Sequence, residues 1–145
     1  MTWWEWSSLL LLGLVILLWI IWDVRPWRRG KEFTETTDTL QVGEWTVRYH
    51  RSGRGPFLIL LHGIGANLFC WRWLIPLLND RFTVIALDLP GFGQSSKPLT
   101  ARYSLDDQVE RVQEIMSAMG VGQAFVVGNS MGGNIALWLA RQYPD

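Results

Sequence analysis

Gly128-Asn129-Ser130-Met131-Gly132, followed by Gly133, is the stretch of this chain whose residue types and spacing best suit chemistry. Small residues on both sides of a serine permit a sharp bend, and a sharp bend projects the hydroxyl away from the backbone. Ala124 to Val127, just before it, is a short apolar run of strand type. Met131 to Arg141, just after it, carries Ile135, Leu137, Trp138 and Leu139 as a helix would. A strand, a turn and a helix in that order are the setting of a nucleophile elbow, where the helix N-terminus also favours negative charge near the serine oxygen. The plain alternative is a glycine-rich connection with an incidental serine. Composition alone would produce about 0.07 such windows in a chain like this, which favours the elbow and makes Ser130 the candidate nucleophile.

Two upstream loops complete the chemistry. His62-Gly63-Ile64-Gly65-Ala66-Asn67 follows the apolar run Phe57 to Leu61, and its glycines allow a backbone amide to turn inward. An oxyanion needs two preorganised N–H donors, one from such a loop and one from the residue after the nucleophile. The candidates are the Ile64 and Met131 N–H groups. Asp88-Leu89-Pro90-Gly91-Phe92-Gly93-Gln94-Ser95-Ser96 follows a second apolar run, Phe82 to Leu87. It is turn chemistry, and Asp88 reads as structural rather than catalytic.

These loops need a frame. Thr39 to Val42 and Trp45 to Tyr49, split by Gly43-Glu44, predict a hairpin. Phe57 to Leu61, Phe82 to Leu87 and Ala124 to Val127 predict three buried strands. Between the last two, Ser104 and Asp107 have the spacing of a capping box. They open a helix with Val109, Val112, Ile115, Met116 and Met119 on one face and Gly120 at its end. Trp71 to Leu78 is a weaker helix, because Pro76 must lie in its first turn or kink it. Buried strands alternating with helices predict a mostly parallel sheet covered on both sides, with ligands at the strands' carboxyl ends.

The order His-Gly-x-Gly, then Asp-x-Pro-Gly-x-Gly-x-Ser, then Gly-x-Ser-x-Gly-Gly resembles the α/β-hydrolase superfamily, over about residues 38 to 145. The resemblance implies an α/β fold, Ser130 as nucleophile, and Ile64 with Met131 as oxyanion-hole donors. A serine rather than an aspartate at the elbow argues against the haloalkane-dehalogenase and epoxide-hydrolase branches. The Gly-Asn-Ser-Met-Gly-Gly string is similar both to carbon–carbon bond hydrolases of aromatic-ring degradation and to membrane-anchored monoacylglycerol lipases and other esterases.

The family places its acid and histidine after the serine. Here fifteen residues follow Ser130, with Asp145 as their one carboxylate and no histidine. His50 and His62 lie upstream, His50 in a packing or surface role and His62 resembling a residue that shapes the oxyanion loop. The expectation is therefore an incomplete α/β-hydrolase fold, the N-terminal half of a larger enzyme. Its open apolar edge would lie at Ala124 to Val127, and its base and acid would be supplied from a missing C-terminal half. A non-catalytic, membrane-tethered module is the reading from a different class.

The N-terminus points to a membrane. From Trp3 to Trp22 only Glu5, Ser7, Ser8 and Gly13 are not apolar, and 20 helical residues span about 30 Å, the thickness of a bilayer's hydrocarbon core. Trp3, Trp4, Trp6, Trp19 and Trp22 sit at its ends, at headgroup depth. No basic stretch precedes the run and no small-residue cleavage site follows it, which disfavours a signal peptide. Residues 1–31 are thus read as one transmembrane helix with its basic flank, 32–38 as a linker, and 39–145 as the hydrolase part. Arg25, Arg28, Arg29 and Lys31 after the span predict an outside N-terminus and a cytoplasmic hydrolase domain.

Thirteen basic and thirteen acidic residues cancel, and no basic stripe suggests nucleic acid. The lone cysteine, Cys70, excludes an internal disulfide and is expected to be buried. Trp71, Trp73 and Trp138 are expected to pack the core. Neither a nucleotide, flavin nor metal motif is present, so no cofactor is expected; the expected partners are the membrane and a small or lipid-like ester.

Overall fold

The computed structural model describes residues 36–144. The chain opens with the hairpin β1 (Asp38–Val42) and β2 (Trp45–Gly53), turned at Gly43-Glu44 as its spacing predicts. β3 (Phe57–Leu61) leads through a 3₁₀ turn (Leu68–Trp71) into the short helix α1 (Ile75–Leu78), and Pro76 sits in the first turn of α1. Then come β4 (Thr83–Leu87), α2 (Leu105–Ala118), β5 (Ala124–Gly128) and α3 (Met131–Gln142). Ser104 and Asp107 form the expected capping box at the start of α2.

The five strands lie in the order β1-β2-β4-β3-β5. The sheet is mixed rather than mostly parallel among the described residues: β3 pairs parallel with β4 and β5, whereas β2 pairs antiparallel with β1 and β4. A two-residue turn can only return the chain antiparallel, so the β1–β2 hairpin imposes this on that edge. The helical crossovers after β3 and β4 supply the parallel half.

Period-two alternation sorts the core onto two faces. Ile59 and Leu61 of β3 with Ile85 and Leu87 of β4 meet Val109, Val112, Ile115, Ile135 and Leu139 of α2 and α3. Leu58, Leu60, Val84 and Ala86 point the other way, onto Leu68, Ile75, Trp71 and Leu78. Fully burying a leucine or isoleucine contributes roughly 1.5–3 kcal/mol, so β3 and β4, covered on both sides, are the best-anchored strands.

β5 lies at the open edge as expected, but it is not the strand buried on both faces that its apolar run predicts. It is an edge strand with one neighbour, β3, and only one covered face: Ala124 and Val126 pack against the α2–α3 core, while Phe125 and Val127 are exposed. The 3₁₀ turn and α1 cover β3 and β4 on that second face but leave β5 bare apart from Phe82, whose ring meets Phe125 edge-on. An apolar run has the same composition whether one or both faces are covered, so burial on both faces did not follow from it.

The span read over Trp3 to Trp22, with the linker start, lies outside the described residues. Among the described residues no helix is long and apolar enough to cross a membrane.

Candidate active site

The site is built where β3, β4 and β5 end. Ser130 joins β5 to α3 and is the one non-glycine residue with positive φ among the described residues, at φ 52° and ψ −115°. For a residue with a Cβ such a conformation costs on the order of 1–3 kcal/mol, and it persists only where the surroundings enforce it. They do so here by close approach. A Cβ on Gly128 would lie 2.1 Å from the Gly132 backbone, and one on Gly132 would lie 2.2 Å from the Leu61 carbonyl oxygen. The two glycines that flank the serine therefore let β5, α3 and β3 meet at one corner. Asn129 N–H donates to Leu61 O at 3.0 Å, and Asn134 N–H reaches back to Ser130 O at 3.1 Å. Ser130 itself is exposed.

The loop leaving β3 abuts that corner: a Cβ on Gly63 would lie 3.3 Å from the Ser130 Cβ. Ile64 follows with its side chain in solvent. Neither the Ile64 N–H nor the Met131 N–H donates to another backbone group of the described residues, and Met131 opens α3, where the first amides have no partner within the helix. The turn thus brings the sequence-predicted serine and the Ile64 loop together beside the first turn of α3.

Both histidines are engaged elsewhere. His62 is fully buried. Its Nε2 accepts from Leu89 N–H at 3.0 Å, which leaves Nδ1 protonated and donating to Gly63 O at 2.7 Å. Burial pushes its pKa below the ordinary value, against the opposing pull of the Gly63 carbonyl and the Asp88 charge, so the ring is held neutral. Nε2 ties the β3 loop to the β4 loop, while Nδ1 fixes the ring within the β3 loop itself. His50 is buried on β2, with Nδ1 at 2.8 Å from Thr36 O and Nε2 at 2.9 Å from Ser52 Oγ. Each ring's two nitrogens already have partners.

Asp88 is the polar hub of the second loop. Fully buried, it accepts from Leu68 N–H at 2.7 Å and Gln94 N–H at 2.8 Å, and faces Arg48 Nη1 at 3.6 Å. Gly93 has no alternative, because a Cβ there would fall 2.2 Å from the carboxylate. Ser95 Oγ donates to Asp88 O and accepts from Arg48 N–H, and Gln108 of α2 donates to Pro90 O. The roles of Arg48, Ser95 and Gln108 did not follow from the sequence pattern. Ser95 stands in the glycine-rich motif, seven residues from Asp88, but the ties from Arg48 to Ser95 and Asp88 and from Gln108 to Pro90 span 18 to 47 residues, beyond any local pattern. Cys70 and Trp73, expected in the core, are both exposed. Among the described residues no cluster of histidine, cysteine and carboxylates could hold a metal ion. A groove of about 730 Å³ runs beside Phe57, Met116, Ala124, Phe125 and Leu139, and Ser130 does not line it.

Residues 56–145 match the family model of the α/β hydrolase fold. The chain belongs to the α/β-hydrolase fold family. It is 43% identical over 104 residues to the uncharacterized hydrolase YugF of Bacillus subtilis, an alignment covering 72% of this chain and 38% of that protein. It is 40% identical over 99 residues to 2-hydroxymuconate semialdehyde hydrolase of a Pseudomonas strain, covering 66% of this chain and 35% of that one. Among solved structures it is similar to a membrane phospholipase A described as a bacterial virulence factor. The TM-score is 0.74 at 35% identity, over 94% of this chain and 48% of that one. The chain thus spans less than half the length of these α/β hydrolases.

Proposed function

We propose that the whole protein is a membrane-anchored serine hydrolase that cleaves carboxylic esters of lipid-like substrates. The observation that carries this reading is the strained backbone of Ser130 at the β5–α3 corner, since strain at an exposed serine has no packing purpose. In this reading Ser130 Oγ attacks the ester carbonyl carbon as a base removes its proton. The Ile64 and Met131 N–H groups receive the oxyanion, and the alcohol leaves with the proton. Water then repeats the attack on the acyl-serine and releases the acid. Both histidines of the described residues being occupied, the base and acid are assigned to polypeptide outside residues 36–144, continuous with this chain or supplied separately.

Likeness to a membrane phospholipase A supports a lipid-like ester, and the Trp-flanked apolar run supports an anchor over residues 1–31 joined by a 32–38 linker. The basic flank supports an outside N-terminus and a cytoplasmic hydrolase domain. Similarity to a semialdehyde hydrolase favours carbon–carbon bond cleavage as the second reading.

A fluorophosphonate probe should label the whole protein at Ser130, and Ser130→Ala should reduce labelling by roughly 10⁴-fold or more. Equal labelling of both removes Ser130 from the mechanism. Turnover of vinylogous diketones in preference to acyl esters would select the second reading.

A further inference from the structure

The stretch from Ile64 to Asn79 contains sixteen residues, no carboxylate and one cation, Arg72. It carries four of the large apolar side chains that the fold leaves in solvent: Ile64 is 74% exposed, Phe69 42%, Trp73 62% and Leu77 51%. Single exposed apolar residues are ordinary on a protein surface, but these fall close together along one stretch of chain, and two of them share a cation. The Arg72 guanidinium lies 4.7 Å from the centre of the Phe69 ring and 5.1 Å from that of Trp73, so both rings flank one charge. Its Nη1 donates to Phe69 O at 3.1 Å, which fixes the charge in the middle of the patch. Leu77 follows Trp73 by four residues, across the turn that opens α1. Beneath, Leu68 and Ile75 are buried, so the exposed side chains are held on an anchored base.

We infer that this ridge, Phe69, Arg72, Trp73 and Leu77, seats the hydrolase domain on the surface of an anionic phospholipid bilayer. Aromatic rings and leucine suit the headgroup–acyl boundary, and an arginine stacked between rings offers its outer edge to a lipid phosphate. The segment itself carries no carboxylate, and the exposed Asp80 that follows it is balanced in formal charge by the exposed Arg81. The chain runs from this ridge back through Ile64 to Gly63, which abuts Ser130, so the ridge and the serine are joined through one loop. This rests on the membrane-hydrolase reading and adds a second, independent point of contact to it.

Cys70, the lone cysteine and exposed within the ridge, allows a direct test. The full chain carrying an environment-sensitive fluorophore at Cys70 is reconstituted with vesicles of equal parts phosphatidylcholine and phosphatidylglycerol, and flotation reports on the anchor. The expected result is blue-shifted emission, quenched by lipids spin-labelled near the top of the acyl chain. Phe69→Ser with Trp73→Ser should abolish the quenching while flotation persists, and Arg72→Glu should weaken it about five-fold. If the double variant misfolds, Trp73→Ser alone is read, since that ring is largely in solvent. A floated chain whose fluorophore stays open to iodide overturns the ridge and leaves the anchor intact. A chain that does not float counts against the anchor, and the ridge then stands or falls on whether adding vesicles shifts the emission. The same shift without lipid, or with pure phosphatidylcholine alone, overturns the inference in favour of a protein or uncharged occupant.

Discussion

β3 and β4 are neighbours in the sheet and both end in a loop with two glycines, yet the loops are held by opposite means. The β4 loop is fastened from within. The Asp88 carboxylate, the Ser95 hydroxyl and the Gly91–Ser96 backbone bond close it on itself, while Arg48 and Gln108 clamp it from β2 and α2. Within the β3 loop the Gly63 carbonyl accepts from Ala66 N–H and from the His62 ring, and the loop is otherwise held from its ends. Those ends are tied to the β4 loop, His62 Nε2 to Leu89 N–H at one side and Leu68 N–H to Asp88 Oδ1 at the other. One loop is a buttress. The other is a free span between two piers, with Gly63 against Ser130 and the Ile64 side chain in solvent.

That division predicts where substitutions hurt. The largest loss should come from Asp88→Ala, which removes the carboxylate facing Arg48 and leaves the Leu68 and Gln94 N–H groups without their acceptor. Denaturant unfolding should show a destabilisation of about 3–5 kcal/mol. A loss under about 1 kcal/mol would mean that the loop does not depend on its hub. Ser95→Ala should cost about 1–2 kcal/mol by the same measurement, because the Arg48 N–H loses its acceptor and the Asp88 carbonyl its donor.

A smaller effect is a pH dependence from the tie at His62. Its folded pKa lies below the unfolded value of 6.5, so the unfolded chain takes up the proton first as pH falls. The stabilisation is intact above about pH 6.5 and is lost progressively below it, as pH approaches the lowered folded value. Thermal melts from pH 7.5 to 5 should show that slope in the native chain and a flatter one in His62→Asn. Parallel slopes would refute a neutral His62. At the other extreme, Ile64→Ser should leave stability within about 0.5 kcal/mol, since the side chain touches little. A cost above about 1 kcal/mol would make the β3 loop as fixed as its neighbour and erase the contrast.

Much of this frame was legible in the residues. The Gly43-Glu44 hairpin, the Ser104–Asp107 capping box and the strand-turn-helix around Ser130 are local, and local chemistry is written in adjacent positions. The Asp88 hub was only partly visible. Its place in a glycine-rich turn suggested a structural role, but its ties to Leu68 and Arg48 span 20 and 40 residues and exist only once the sheet order is set. The exposure of Cys70, Trp73 and one face of β5 was hidden for a related reason. Hydropathy records what a side chain prefers, and whether a neighbouring element arrives to cover it depends on topology.

The torsion at Ser130 carries a further consequence. A glycine occupies that corner of backbone space without penalty, so Ser130→Gly should melt higher than the native chain, by the equivalent of about 1 kcal/mol, while giving up the hydroxyl. On the proposed reading, the most durable version of this molecule is an inert one. The residue kept at the bend then records a compromise in which robustness was yielded for reactivity.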